Sequence, residues 1–246
     1  MAESPDIAQP AALIGDPARA AMLLALMRGQ ALTACELAHE AGVALSTTSS
    51  HLSRLRAGGL VAVRKSGRHK YFALAGEGAA GVIEALIGFA GAGPGERLRT
   101  GPKGLPGPRD PALREARVCY NHLAGERGVR LYDSICARGF VITGPGGPDL
   151  SPAGRAFARD FGVAPEALDV TRQPACRECL DWSMRRSHLG GRAGRGFLAA
   201  IEARGWACRV AGSRVIRFTP EGARRFDQSF PVPRGDESLD LARTRT

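Results

Sequence analysis

The segment HLAGERGVRLYDSICARGF, His122 to Phe140, returns sixty-six residues later as HLGGRAGRGFLAAIEARGW, His188 to Trp206. A chain that states one pattern twice is constrained to build one unit twice, because both copies must bury the same face. Each copy holds a histidine, two glycines three apart (Gly125 and Gly128, Gly191 and Gly194) and a closing Ala-Arg-Gly. The continuations FVITGPGGPDLSPAGRAF and WACRVAGSRVIRFTPEGARRF each read as strand, turn, strand and short helix. Ser151-Pro152 and Thr219-Pro220 supply the cap and first-turn proline of those helices. The first copy is preceded by DPALREARVCYNHLAG, where Asp110-Pro111 open a helix predicted to run into the repeat. The expectation is two helix-hairpin-helix units, each winged-helix-like. Glycines three apart on a helix admit a close helix neighbour, so the repeated helices are expected to cross at them. That crossing would set His122 and His188 beside one seam, with Cys119 one turn before His122 on the same helical face.

A Gly/Pro-dense stretch, GAGPGERLRTGPKGLPGPRDP, denies its residues both helix and sheet and reads as an extended linker. The domains implied are 8–90, a linker over 91–111, and a C-terminal region over 112–232. Before the linker, DPARAAMLLALMRG carries Asp16 as N-cap and Pro17 in the first turn. TACELAHEAG is a second helix ending in glycine, and Ser46 to Ala57 a third. LVAVRKSGRHKYFAL then alternates as two strands turning at Ser66-Gly67. The fold class expected is α+β, mostly α: a winged helix-turn-helix followed by a duplicated winged-helix-like domain.

The net charge of +10 points to a polyanionic partner, and its distribution sharpens the point. Residues 1–90 hold 8 Lys+Arg against 7 Asp+Glu. Between Leu45 and Tyr71, however, Arg54, Arg56, Arg64, Lys65, Arg68 and Lys70 stand without one acid among them. No run of apolar residues is long enough to span a bilayer, and MAESPDIAQP lacks the form of a signal peptide, so a cytoplasmic protein without a membrane partner is expected. In that compartment Cys35, Cys119, Cys136, Cys176, Cys179 and Cys208 are expected as thiols rather than disulfides.

Helix, helix, helix, hairpin is an order suited to double-stranded DNA. A recognition helix presents short polar side chains to base edges, and neighbouring cations hold phosphates. Ser46, Thr47, Ser49, Ser50, His51 and Arg54 lie early on the third helix, with Leu52 and Leu55 free to face a core. The hairpin offers Arg64, Lys65, Arg68, His69 and Lys70 for phosphate or minor-groove contacts.

IGDPARAAMLLAL, TACELAHEAGVALSTTSSHLSRLRAGGLV and RKSGRHKYFAL together resemble the winged helix-turn-helix of ArsR/SmtB-type transcriptional regulators over residues 8–90. The resemblance implies a homodimer that represses a promoter and lets go when an effector, often a metal ion, binds. Three positions depart from the family pattern. Ala44 stands where a capping Ser is common, leaving Ser46 to cap a shorter helix. LTACEL keeps Cys35 but has Thr33 where arsenic-responsive members place another cysteine, and Cys35 alone reads as a small core residue. GVIEALIGFA offers only Glu84 where zinc-responsive members place histidines and carboxylates, so neither family metal site carries over.

CYNHLAG and CLDWSMRRSHLGG resemble the C-terminal extension of a longer subgroup of these regulators. The candidate sensing residues there are Cys119, His122, Cys176, Cys179 and His188, with Cys176 and Cys179 forming a CxxC. Thiolates with imidazoles suit zinc, copper(I) or trivalent arsenic or antimony over magnesium or calcium. Thiol oxidation is the competing trigger, and locally hydrogen-bonded histidines with packed cysteines are the structural alternative. A nucleophile set of Cys119, His122 and Asp133 is disfavoured, since Cys and His at i and i+3 on one helix rarely align for proton transfer; no enzyme is expected. The rival to a regulator is an architectural protein binding DNA without sequence preference, since residues 176–225 carry 11 arginines against 4 acids.

Overall fold

A computed structural model describes residues 7–66, 68–91, 108, 110–144, 146–169, 174–181 and 183–232. The chain divides into two compact units, residues 1–87 and 88–246. Most of the expected linker, and Gly67 at the hairpin tip, lie outside the described residues.

The N-terminal unit runs α1 (Ala8–Ile14), α2 (Pro17–Leu26), β1 (Leu32–Thr33), α3 (Ala34–Ala41), α4 (Leu45–Ala57), β2 (Val61–Ser66), β3 (His69–Leu74) and α5 (Glu77–Gly91). Local chemistry sets these boundaries. Asp16 accepts the Arg19 amide at 2.9 Å and caps α2, with Pro17 in the first turn. Thr33 and Glu36 form a reciprocal capping box that opens α3, and Gly42, at φ +65°, ends it. α4 starts at Ala44 without a side-chain cap, and Ser46 lies inside the helix, so the expectation that Ser46 caps is corrected. Met22, Leu23, Leu26, Leu37, Leu52 and Leu55 close the core. The antiparallel sheet has the order β1-β3-β2.

The second unit runs α6 (Pro111–Glu115), β4 (Arg117–Cys119), β5 (His122–Ala124), α7 (Glu126–Ala137), β6 (Val141–Gly144), β7 (Gly147–Leu150), α8 (Pro152–Asp160), α9 (Pro165–Leu168), β8 (Arg177–Asp181), β9 (Arg186–Gly190), α10 (Gly191–Ala203), β10 (Ala207–Arg209), β11 (Ile216–Phe218) and α11 (Pro220–Ser229). Hairpin, helix, hairpin, helix occurs from β4 to α8 and again from β8 to α11. Neither run has the three-helix lead of the N-terminal unit, so each is winged only in its helix-then-hairpin part.

One expectation is overturned here. Asp110 and Pro111 do open a helix, but it stops at Glu115. Residues 117–119 then pair with 122–124 as a hairpin, so Cys119 and His122 are cross-strand partners and not neighbours on a helical face. All six strand residues are buried, and three residues are too few for an alternation to mark a strand.

The repeated glycines do different work from the helix crossing expected of them. Gly125 and Gly191 take φ of +80° and +76° at the turns into α7 and α10, a region that disfavours any residue with a Cβ. Gly128 and Gly194 let each helix press on its own hairpin. A Cβ at either would collide with the carbonyl of Leu123 or Leu189. The same absent Cβ would lie 3.6 Å from His188 Cβ at Gly128 and 3.2 Å from His122 Cβ at Gly194. α7 therefore packs on β9 and α10 on β5, each helix beside the histidine of the other hairpin. Ser151 and Thr219 cap α8 and α11 as the sequence suggests, each accepting the amide of a glycine three residues on. Phe157, Phe161, Phe197, Phe226 and Phe230 interlock at centroid distances from 4.8 to 6.3 Å and form the core between these helices.

Candidate functional site

α4 is amphipathic in the way its sequence promises. Thr48, Leu52 and Leu55 are buried, while Ser46, Thr47, Ser49, Ser50 and Arg54 are exposed along the opposite face. His51 departs from this group. It is half-buried, with Nδ1 3.3 Å from the Arg19 guanidinium and 4.0 Å from Asp16, so it braces α4 against α2 and is not presented outward. The hairpin β2-β3 carries Arg64, Lys65, Arg68, His69 and Lys70, all exposed, and Lys65 pairs with Lys70 directly across the strands. Like charges opposite one another are destabilising unless an anion lies between them. Between α4 and this hairpin runs a groove of about 700 Å³ lined by Ser49, Arg56, Lys65, Arg68 and Lys70. Cys35 opens onto the same groove and is exposed, contrary to the core position expected of it. Glu84 is buried in α5.

The cations of this surface differ from those elsewhere. Among the described residues, Arg54, Arg56, Arg64, Lys65, Arg68 and Lys70 enter no ion pair. In the second unit, Arg186 is bound to Asp133 at 2.8 Å, Arg209 to Glu202 at 2.9 Å, and Arg224 and Arg225 to Glu221. Arg138 and Arg204 stack on aromatic rings. The arginine excess of residues 176–225 is thus largely engaged within its own unit.

The second unit gathers four of the five candidate sensing residues. Each hairpin places a cysteine directly across from a histidine: Cys119 opposite His122, and Cys179 opposite His188. β5 meets β9, and the four ligand atoms lie within 4.8 Å of one another. The two sulfurs are 3.9 Å apart and the two Nε2 atoms 3.1 Å. Cys119, His122 and His188 are buried and Cys179 partly so. The His122 Nδ1 lies 3.2 Å from Asn121 Oδ1, which favours a proton on Nδ1 and leaves the Nε2 lone pair facing the cluster. A hydrogen bond from the Cys119 thiol, assisted by His122 and His188 and opposed by burial, holds Cys179 far below the usual thiol range. The turn Tyr120–Asn121 joins β4 to β5 with Tyr120 at φ +58°, a left-handed conformation that costs about 1–2 kcal/mol for a residue with a side chain.

Cys176 does not join the cluster. On an extended chain, residues three apart point to opposite sides, so the CxxC cannot chelate, and Cys176 turns into the hydrophobic core. Burial pushes its thiol up to about 12, and that of Cys136 up to about 11. Asp133 pairs with Arg186 and is no part of the cluster, so the Cys119, His122, Asp133 set does not assemble.

Sequence reasoning missed the neighbouring ion pair. Arg117 and Asp181 are wholly buried and 2.9 Å apart. Burial would raise the Asp181 carboxyl, but the Arg117 guanidinium, the Ser183 hydroxyl and the amides of Gly125 and Met184 hold it down at about 2. The signal was period two: Arg117-x-Cys119 and Cys179-x-Asp181 each place a charge and a thiol on one strand face. Asn121 was missed for the same reason, since it has a role only once the segment is a hairpin.

Residues 16–63 match the family model of bacterial regulatory proteins, arsR family. Over 229 residues, 93% of this chain and 99% of the relative, the chain is 34% identical to an uncharacterized HTH-type transcriptional regulator, YdfF, of Bacillus subtilis (strain 168). The homodimeric winged helix-turn-helix DNA-binding domain of a possible ArsR-family transcriptional regulator from Mycobacterium bovis is 26% identical, covering 37% of this chain and 92% of that one, with a TM-score of 0.33. The transcriptional repressor BigR from Xylella fastidiosa is 26% identical, covering 33% and 83%, with a TM-score of 0.30. Among the described residues, no helix is long and apolar enough to cross a membrane.

Proposed function

Because the chain belongs to the ArsR family of helix-turn-helix transcriptional regulators, we propose that it is a promoter-binding repressor acting as a homodimer on a palindromic site. The observation that carries this reading is the segregation of unpaired cations. Those on α4 and the β2-β3 hairpin have no acidic partner among the described residues, while Arg186, Arg209, Arg224 and Arg225 of the second unit are paired within it. α4 lies in the major groove, where Ser46, Thr47, Ser49 and Ser50 reach base edges, and the hairpin holds phosphates. Dimerisation uses α5, whose Val82, Leu86 and Phe89 form an exposed apolar stripe at i, i+4 and i+7. The input is assigned to the Cys119, His122, Cys179, His188 cluster, through metal binding or thiol oxidation.

Footprinting tests the reading against an architectural role. A short palindromic protected site supports a regulator, and uniform coverage of any duplex supports the architectural alternative. The same internal engagement of the C-terminal arginines argues against that alternative.

A further inference from the structure

From the cross-strand pairing of a cysteine with a histidine in each of two facing hairpins, we infer that Cys119, His122, Cys179 and His188 form a closed four-coordinate centre for Zn²⁺. The inference rests on the assignment of this cluster as the input and not on operator recognition. A tetrahedral zinc with bonds of about 2.3 Å to sulfur and about 2.0–2.1 Å to nitrogen sets its sulfurs about 3.8 Å and its nitrogens about 3.3 Å apart. Two edges of that polyhedron, at 3.9 Å between the sulfurs and 3.1 Å between the nitrogens, are already close to these values, and all four ligand atoms lie within 4.8 Å of one another.

The donor set selects the metal. Among the described residues no carboxylate belongs to the cluster, which excludes the oxygen-seeking magnesium and calcium. A trivalent arsenic or antimony centre takes three thiolates, and here there are two; Cys136 and Cys176 lie elsewhere, buried as thiols. Two thiolates and two imidazoles in a tetrahedron suit Zn²⁺. All four positions are filled by the protein, so no open site remains for a substrate, and the centre acts as a clamp. Each hairpin supplies only half of the ligands, so the ion completes its shell by joining β4-β5 to β8-β9. Asn121 is a positioning residue: its Oδ1 holds the proton on His122 Nδ1 and turns the Nε2 lone pair toward the metal. This centre lies outside the N-terminal unit, where Cys35 without a second cysteine and Glu84 alone leave both ArsR-type ligand sets incomplete.

The test uses the full chain purified under reducing conditions. One zinc per chain by elemental analysis is expected. After chelator stripping, Co²⁺ should restore a tetrahedral visible spectrum together with a thiolate-to-cobalt charge-transfer band. Cys119→Ser and Cys179→Ser should each lose part of that band. Asn121→Ala should keep the spectrum while weakening zinc affinity 10–100-fold, and Asn121→Asp should restore it. Substoichiometric metal with a purely octahedral cobalt spectrum overturns the proposal, as does copper in place of zinc. If the cysteine variants fail to fold, the cobalt spectrum of the parent still decides. A chain that binds zinc but protects no DNA overturns the operator reading alone; one that protects a palindrome but binds no metal overturns only the zinc centre.

Discussion

At the scale of single residues, the pair Arg117 and Asp181 does more than its size suggests. Asp181 accepts from the Arg117 guanidinium, the Ser183 hydroxyl and the amides of Gly125, Ser183 and Met184, so one carboxylate ties the β8-β9 turn to β4 and to the start of α7. Removing one partner leaves the other charged and buried. Asp181→Leu is expected to cost about 3–5 kcal/mol in chemical denaturation, whereas the double change Arg117→Met with Asp181→Leu should recover the part due to the stranded Arg117 charge, the amides of Gly125, Ser183 and Met184 still lacking their acceptor. If the double variant were no more stable than the single one, the pair would be acting through shape and not through charge. The same scale shows what the sequence could not display. The histidines repeat at a constant offset, yet the cysteines do not, because Cys119 and His122 are three residues apart while Cys179 and His188 are nine apart. The longer β8-β9 turn absorbs the difference, and cross-strand register restores an equivalence that linear alignment hides.

At the scale of elements, helix signals were legible and short strands were not. Asp16, Asp110, Ser151 and Thr219 cap where their types and spacing say they should, because capping is a local event decided within a few residues. β4 and β5 form through tertiary pairing of fully buried triplets, a non-local event whose period two, as at Arg117-x-Cys119, is too short to stand out. The uncapped start of α4 gives a direct test. Ala44 is exposed, with φ −62° and ψ 151°, a backbone that accepts a capping side chain. Ala44→Ser should stabilise the protein by about 1 kcal/mol in thermal or denaturant unfolding, and a neutral result would show that the first amides of α4 are already satisfied. The division between α4 and the hairpin is tested by DNA binding. Ser46→Ala with Thr47→Ala should lose about 1–3 kcal/mol of discrimination between operator and random duplex for each good base contact removed. Arg68→Ala with Lys70→Ala should instead weaken binding to every duplex and flatten its salt dependence. Identical behaviour of the two pairs would refute the assignment of base reading to one element and phosphate holding to the other.

At the scale of the molecule, the four ligands come from two hairpins that the chain connects only through α7, β6, β7, α8 and α9, so an ion at their centre closes a long loop. A polypeptide of residues 110–232 holds every ligand and the interlocked phenylalanine core, and is expected to be soluble and to unfold in one cooperative step whose midpoint falls on chelation. The unit's hydrophobic core extends well beyond the cluster, so chelation should lower stability without abolishing the fold. That partial dependence suits an input, since a domain that unfolds completely on losing its ion has no second folded state to signal with. Metal and oxidant can be separated as triggers. Under strictly reducing conditions a metal-driven regulator changes its operator affinity when zinc is added or withdrawn, whereas a thiol-driven one stays indifferent until peroxide is supplied. Peroxide takes two electrons from Cys119 and Cys179, giving a disulfide, two waters and a released ion; the sulfurs are near enough for one route to exclude the other. Operator affinity measured by titration with zinc, with chelator and with peroxide, on the parent and on Cys119→Ser and Cys179→Ser, is expected to show a zinc response in the parent alone. Parent and variants that bind and release the operator alike under all three treatments would make the centre a structural clamp with no part in regulation.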